Sequence, residues 1–205
     1  MHDALAEGKG AILWVGGSSF NDLFTKATLY QNGVDLHHLS RPSHGFSASW
    51  FGRTFLNPIL TRIECRYLQE RIVIGGDKGN RLTDLEDRLA ANGIVSITVC
   101  GLGKRLFASD FLDGEIQIAV GALKLAHQTG ASVLPIFTTS DDDGRIVTVI
   151  EKPLPMRQDV DRQEAIEEAL AAYIPRLEAN VRRSPAQFSY SINASFESLF
   201  VLPAK

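Results

Sequence analysis

The sequence has little cysteine and contains no long hydrophobic run. Its 205 residues include two cysteines, Cys65 and Cys100, which form neither a CxxC pair nor a Cys/His spacing. This pattern argues against a zinc site and favours reduced thiols, so we expect a cytoplasmic protein. No stretch approaches the roughly 20 uninterrupted apolar residues of a spanning helix, and the first ten residues do not resemble a signal peptide. We therefore expect a soluble protein or one in peripheral contact with a membrane.

An excess of positive charge is also missing. The formal net charge is −3 and the basic residues are scattered, which argues against binding to nucleic acid. Three consecutive aspartates, residues 141–143, lack the following ligands of a calcium loop, and we expect a hairpin turn there and no metal. With 44% hydrophobic residues, the chain can bury one substantial core, so we expect a single domain over residues 1–205.

One stretch near the start predicts a strand, a tight turn and a helix. Residues 11–15 form a short apolar run typical of a buried strand, and Gly16, Gly17, Ser18 and Ser19 follow it. Residues 21–31 then carry Leu23, Phe24, Ala27 and Tyr30 at helical spacing. A turn at the carboxyl end of such a strand is the usual place for a functional site in an α/β sheet. The alternative is a plain connection, in which Asn21 or Asp22 caps the helix.

Predicted strands and helices alternate in the same way along the rest of the chain. This alternation predicts one α/β domain with a largely parallel mixed sheet and helices on both faces. Residues 46–70 carry many large apolar side chains, which are expected in the core, although a partner or an acyl-sized groove is the alternative. His37 and His38 alternate across a strand, so at least one is expected to be solvated and neither to be catalytic. The predicted strands are residues 34–39, 71–74, 94–100, 132–138 and 145–151, and the other predicted helices are 81–92, 114–128 and 161–183.

Several short motifs occur in the order found in a known group of proteins, and they cover nearly the whole chain. The motifs are the strand at residues 6–13, Arg-Pro at 41–42, the helix, glycine and strand after residue 89, the segments 111–114, 121–126 and 129–135, and the stretch 184–188 with Phe196. Together they resemble the lysophospholipid acyltransferase superfamily, within it the lauroyl and myristoyl acyltransferases of lipid A biosynthesis. The resemblance implies transfer of an acyl group from an acyl-carrier-protein or coenzyme A thioester, with no bound cofactor, to a small-molecule or lipid acceptor.

The catalytic motif of that family is altered here. A His-x-x-x-x-Asp/Glu motif places an imidazole beside the acceptor hydroxyl and a carboxylate that orients it. Laid on this sequence, the carboxylate is Asp22 and the histidine position is Gly17, so the general base is missing. The basic residues that follow the C-terminal signature are replaced by residues 191–195, which puts an anionic lipid A precursor in doubt as the acceptor. Residues 1–10 do not carry the apolar run that the resemblance would lead us to expect of an N-terminal anchor in the membrane members.

Three substitutes for the missing histidine follow from the residues. His44, in the loop with Arg41, could reach the position beside Gly17. Cys100 could accept the acyl group if Lys104 or Arg105 stabilised its thiolate. Ser18 and Ser19 could supply oxyanion donors through their backbone, with Gly16 and Gly17 completing the turn that contacts the substrate.

An amine acceptor needs no replacement base, because a partly neutral amine is a better nucleophile than an alcohol and its alignment with a thioester can supply the rate. The sequence therefore predicts an N-acyltransferase before an O-acyltransferase. The competing interpretation is a catalytically silent acyl-binding or partner-binding domain that kept the fold and lost the reaction.

Overall fold

The computed structural model describes residues 1–20, 23–40, 49–73, 81–100, 105–188 and 200–201. A π-helical turn, Gly52–Leu56, precedes the third helix, and a 3-10 turn, Cys65–Tyr67, follows it. In these ranges the strands are β1 Ala11–Val15, β2 Leu36–Ser40, β3 Glu70–Val73, β4 Ile94–Thr98, β5 Leu106–Phe111, β6 Gly114–Ala119, β7 Ser132–Ser140, β8 Ile146–Ile150 and β9 Phe200–Val201. The helices are α1 His2–Ala6, α2 Phe24–Gln31, α3 Asn57–Glu64, α4 Arg81–Ala90, α5 Gly121–Thr129 and α6 Arg162–Arg183.

The main sheet has six strands in the order β3-β2-β4-β1-β7-β8. The first five are parallel and β8 runs antiparallel to β7. β1 lies inside the sheet, and all five of its residues are buried because helices cover both faces. A second, antiparallel sheet contains β5, β6 and β9. The predicted α/β architecture with a largely parallel mixed sheet is confirmed.

Alternate residues of β1 point into two different cores. Ile12 and Trp14 pack with apolar residues of α4, α5 and α6 on one face. Ala11, Leu13 and Val15 pack with residues of α1 and α2 on the other. Because β1, β2, β4 and β7 are parallel, their carboxyl ends meet at one side of the sheet, which we call the carboxyl edge.

The helix predicted for residues 114–128 is wrong in its first half. Residues 114–119 form β6, which pairs with β5, and only the second half is helical, as α5. Ile116 and Ile118 are buried while Glu115 and Gln117 are half-exposed, which is the period of two that a half-buried strand requires. Leu112, with a φ of 53°, makes the tight reversal between β5 and β6. A left-handed backbone at a leucine is uncommon. The turn signal in the sequence is the Asp-Gly pair at residues 113–114, directly after Leu112.

The helical region around residue 50 also departs from its prediction. In the described part, helix begins at Trp50, and Pro58 lies in the first turn of α3, where its missing N–H costs nothing. The large apolar side chains expected in the core are instead exposed, among them Trp50, Phe51, Phe55 and Ile59. None of the described helices combines the length and apolar character needed to cross a membrane.

The buried side of α2 differs from the one that the apolar spacing indicated. Thr25, Lys26 and Leu29 are buried, whereas Phe24 and Tyr30 are about half exposed. The two polar residues can be buried because each finds a partner. The Thr25 hydroxyl bonds that of Thr138 at 2.6 Å, and Lys26 forms an ion pair on the neighbouring helix.

Candidate functional site

The carboxyl edge brings together the ends of three neighbouring strands. Gly16, directly after β1, donates its N–H to the carbonyl of Ile136 in β7 at 2.9 Å. On the other side of β1, the N–H of Val99 donates to the carbonyl of Val15 at 2.9 Å. Cys100 therefore follows β4 beside the turn that follows β1, as the sequence predicted when it placed these two strands together.

The turn at residues 16–19 is held mostly by its own polar groups. The N–H of Ser18 donates to the carbonyl of Gly16 at 3.0 Å, and the Ser18 hydroxyl donates to the carbonyl of Thr138. The N–H and hydroxyl of Ser19 both donate to the carbonyl of Gln187 at 2.8 Å. Both serine hydroxyls and both backbone N–H groups are thus engaged within the protein.

Gly17 is the exception in this turn. The residue is buried, and within the described ranges its backbone N–H has no hydrogen-bond acceptor. A buried N–H without a partner is rare in folded proteins, because it loses its bond to water and gains none in return. The arrangement leaves one donor available for the oxygen of a bound group.

The two glycines of the turn differ in what a side chain would meet. A Cβ added at Gly16 would lie 2.4 Å from the ring of Phe137, which is buried and stacked on Tyr173. Gly16 therefore must be glycine for packing reasons. Gly17 is not among the described residues with a positive φ, so its backbone accepts any L-amino acid.

Gln187 ties the C-terminal part of the chain to this turn. Its side-chain carbonyl accepts the N–H of Ser140 at 2.7 Å, and its amide nitrogen donates to the Ser140 carbonyl at 2.8 Å. Its backbone carbonyl is the acceptor for Ser19, as described above. The segment 184–188, noted in the sequence for its resemblance to a family signature, thus braces the turn at residues 16–19.

The other predicted site residues are only partly described. Cys100 is half-buried, with its carbonyl accepting the N–H of Ala119 at 2.8 Å, and Arg105 is exposed. The structure brings Cys100 and the turn to the same edge of the sheet. Four predicted site residues lie outside the described ranges: Asp22, Arg41, His44 and Lys104.

A small group of positive charges surrounds the first turn of α5. Burial lowers the pKa of Lys124 below its usual value, and the charges of Arg105 and Arg162 lower it further. Arg105 stands immediately before β5, whose first residue pairs with Ala119. Because the Ala119 N–H bonds the carbonyl of Cys100, these cations lie on the same side of the sheet as Cys100. Such a group is suited to an anionic part of a ligand.

Sequence reasoning missed a buried polar cluster under α2. The Lys26 ammonium binds the Glu64 carboxylate, and their side chains are only 4% and 7% exposed. His38 Nε2 lies 3.9 Å from Glu64 Oε1, and His38 Nδ1 lies 2.8 Å from the hydroxyl of Ser96. His38 is thus the buried histidine of the pair, while His37 is half-buried and 3.1 Å from Glu70.

A sequence signal for this cluster did exist. Lys26 lies on the same side of the predicted helix as Leu29 and Tyr30. A charged residue at such a position indicates either that this side is exposed to solvent or that the charge has a buried partner. The partner, Glu64, is 38 residues away and could not be identified without the fold. No group of His, Cys, Asp and Glu in the described ranges could hold a metal ion.

Comparison of the sequence with models of known protein families, and with curated proteins, finds no match. The function must therefore be argued from the turn, the edge and their charges.

Proposed function

We propose that this protein binds an acyl thioester at the carboxyl edge and transfers the acyl group to an amine. The donor is acyl carrier protein or acyl-coenzyme A, as the family resemblance suggests. The observation that supports this most directly is the N–H of Gly17, which lies in a buried residue at the end of β1 and has no acceptor among the described residues. A backbone N–H in such a place can stabilise the oxyanion that forms when a thioester carbonyl is attacked.

The choice of acceptor follows from what the turn offers. An alcohol must lose a proton as it attacks, and residues 16–19, the described part of the turn, contain neither an imidazole nor a carboxylate. A neutral amine attacks the thioester carbon directly: the N–C bond forms, the C–S bond breaks, and the amine proton leaves with the thiolate as the free thiol. Asp22, in the family's carboxylate position, would orient the amine.

The donor side is supported by positive charge. The group formed by Arg105, Lys124 and Arg162 would attract the phosphates of coenzyme A or the phosphopantetheine arm and acidic surface of a carrier protein. Lys104 would add to it. Arg41 and His44 would contact the acceptor, and Cys100, at the same edge, is the alternative nucleophile if an acyl-enzyme forms.

Acyl acceptors and products of this kind are found at membranes. We therefore place the protein in the cytoplasm, peripheral to the inner membrane. The exposed aromatic side chains of Trp50, Phe51 and Phe55 support this placement.

The test uses purified protein, an acyl-coenzyme A or acyl carrier protein, and a panel of primary amines, with amide formation followed by mass spectrometry. Gly17→Ala keeps the N–H and should retain amide formation. Gly17→Pro removes that donor and should lower the rate by about 10²–10³-fold. Circular dichroism and thermal melting of both variants check folding. If no amine on the panel consumes the thioester, the transfer function is wrong.

A silent acyl-binding or partner-binding domain is the second candidate. It is favoured by the hydroxyls of Ser18 and Ser19, which bond the protein itself instead of facing a substrate. Gly17→His distinguishes the two functions, because an imidazole added to a working pocket should create or raise ester formation with alcohols. A protein that binds thioester tightly but leaves it intact, in both wild type and Gly17→His, is the silent one.

A further inference from the structure

The helical region 50–59 exposes side chains that folded proteins normally bury. Trp50 is 73% exposed, and Phe51 and Ile59 are each 57% exposed. Phe55 and Leu56 are also exposed. Single exposed apolar residues are common, but five large ones on ten consecutive residues form a patch of the kind that marks an interaction surface.

The π-helical turn determines which residues of this region are buried and which are exposed. The Asn57 N–H donates to the carbonyl of Gly52, five residues earlier, and both residues are buried. Phe51, Phe55 and Ile59 are spaced four apart and share the exposed side. The Phe55 ring lies 5.2 Å from that of Phe51 and, on the other side, 6.0 Å from that of Trp50. The aromatic rings therefore form one contiguous surface.

Arginines accompany this surface, and acidic side chains do not. Arg62 and Arg66 continue the stripe of Ile59 at spacings of three and four, and both are exposed, as is Arg53. The single acidic residue between positions 49 and 69 is Glu64, which is buried against Lys26. The exposed charge of this region is thus entirely positive, in a chain whose net charge is −3.

The C-terminal end of the region is anchored to the fold. Glu64 lies near His38, in the middle of β2, and the N–H of Gln69 donates to the carbonyl of Leu36 at 3.0 Å. At 1.5 Å per helical residue, Trp50 lies about 20 Å from Glu64. The aromatic rings are therefore at the end of the region that lies away from this anchor.

We infer that this surface, which we name the aromatic–arginine face (Trp50, Phe51, Arg53, Phe55, Ile59, Arg62 and Arg66), docks on the surface of an anionic phospholipid bilayer. The rings enter the interface between headgroups and acyl chains, and the arginines bind the lipid phosphates. Positive charge beside the rings favours this occupant over a neutral apolar partner or a second copy of the chain, which would bring like charges together. The inference does not depend on the acyl-transfer reaction.

The two tryptophans make the test direct, because Trp14 is buried and Trp50 is exposed. Vesicles of phosphatidylcholine with about a third phosphatidylglycerol should shift the tryptophan emission to shorter wavelength, and brominated lipid should quench it. Trp50→Phe should abolish both signals while retaining sedimentation with the vesicles. Pure phosphatidylcholine vesicles should bind more weakly, and added salt should weaken binding to the anionic ones.

Variants separate the two components of the face. Arg62→Gln with Arg66→Gln should weaken binding to anionic vesicles roughly 30-fold, at about fivefold per arginine, and leave binding to neutral vesicles unchanged. Phe51→Ser with Phe55→Ser should abolish the emission shift. Val149→Ser and Arg145→Gln, exposed positions on the hairpin of β7 and β8, are the matched controls and should bind as wild type. Thermal melting confirms that each variant is folded.

Three results would overturn the inference. One is equal binding to neutral and anionic vesicles. Another is self-association in the absence of lipid that Phe51→Ser with Phe55→Ser abolishes, since it identifies a second copy as the occupant. The last is quenching of Trp50 by a soluble brominated fatty acid without any vesicle binding, which identifies a single acyl chain. Failure of the amine-transfer assay bears on none of these measurements, so the two proposals fail separately.

Discussion

Removing the negative charge of Glu64 should destabilise the protein strongly. The Lys26 and Glu64 side chains are 4% and 7% exposed, so neither can be solvated by water in place of its partner. Glu64→Gln keeps the size of the side chain but leaves the Lys26 ammonium uncompensated. Breaking one side of a buried ion pair typically costs about 3–5 kcal/mol of the free energy of unfolding. For a chain of this length, that lowers the melting temperature by about 6–20 °C.

The assay is urea unfolding at pH 7 followed by circular dichroism, with thermal melting in parallel. The matched control is Glu178→Gln, which breaks the exposed pair with Arg182 on α6 and should cost about 0.5 kcal/mol or less. The double variant Lys26→Met with Glu64→Gln removes both charges and should recover most of the loss, because no unpaired ion remains buried. The slope of the unfolding free energy against urea should not change.

A loss below about 1 kcal/mol in Glu64→Gln would refute this reasoning, because it would mean that water or another group reaches Lys26. A double variant less stable than Glu64→Gln would refute it too, since the cost would then come from packing and not from an unpaired charge.

Three further predictions concern other parts of the fold. Gly16→Ala should cost about 1–3 kcal/mol of unfolding free energy, because its Cβ meets a buried ring. Gly17→Ala should add no backbone strain, because Gly17 is not among the described residues with a positive φ. The Arg88 guanidinium, above all, holds the pKa of the Glu70 carboxyl below its ordinary value of 4.5. The stability that results is present above pH 4.5 and is lost as the pH falls through the lowered pKa. The melting temperatures of wild type and Glu70→Gln should therefore converge towards about pH 3. Tyr173→Phe should leave stability unchanged or raise it by up to about 1 kcal/mol, because the buried hydroxyl has no partner in the described part of the chain; a clear loss would reveal one.

Regular patterns made the main sheet predictable. The runs at β1 and β4 are apolar because both faces of a parallel sheet are covered, and the hairpin after Ser140 has the turn chemistry of three aspartates and Gly144. The helix at residues 161–183 begins where Asp161 caps it, with its side chain accepting the N–H of Gln163 at 2.7 Å. These signals are local, so one sequence is enough to find them.

The predictions that were wrong concern segments whose structure depends on contacts with residues far away in the sequence. Residues 114–119 are a strand because β5 is available to pair with them, and apolar spacing in so short a stretch fits a helix as well. The region 50–59 has an apolar pattern typical of a core, but between residues 50 and 64 only Gly52, Asn57 and Glu64 are buried. A pattern shows that side chains are apolar and cannot show whether the fold places anything against them.

The position of the candidate site could be predicted from the sequence, but the hydrogen bonds of its side chains could not. The carboxyl end of β1 follows from the rule for parallel sheets. The bond from Ser19 to Gln187, 168 residues away, could not be predicted, and this bond occupies the hydroxyl of Ser19 although the residue is exposed. The hydroxyl of Ser18 is occupied in the same way by Thr138.

The direction in which the polar groups point limits the chemistry that the protein can perform. Ser18, Thr25 and Thr138 bond one another or the backbone beneath the turn, and His38 is bonded to Ser96 in the interior. A hydroxyl or imidazole already bonded on the inside must break that bond before it can act on a ligand, which raises the cost of using it as a base. Among the described groups at the end of β1, only the Gly17 N–H can bond a ligand without first breaking a hydrogen bond within the protein. Catalysis at this turn would therefore depend on a backbone donor and on an acceptor that brings its own nucleophilicity, as a neutral amine does.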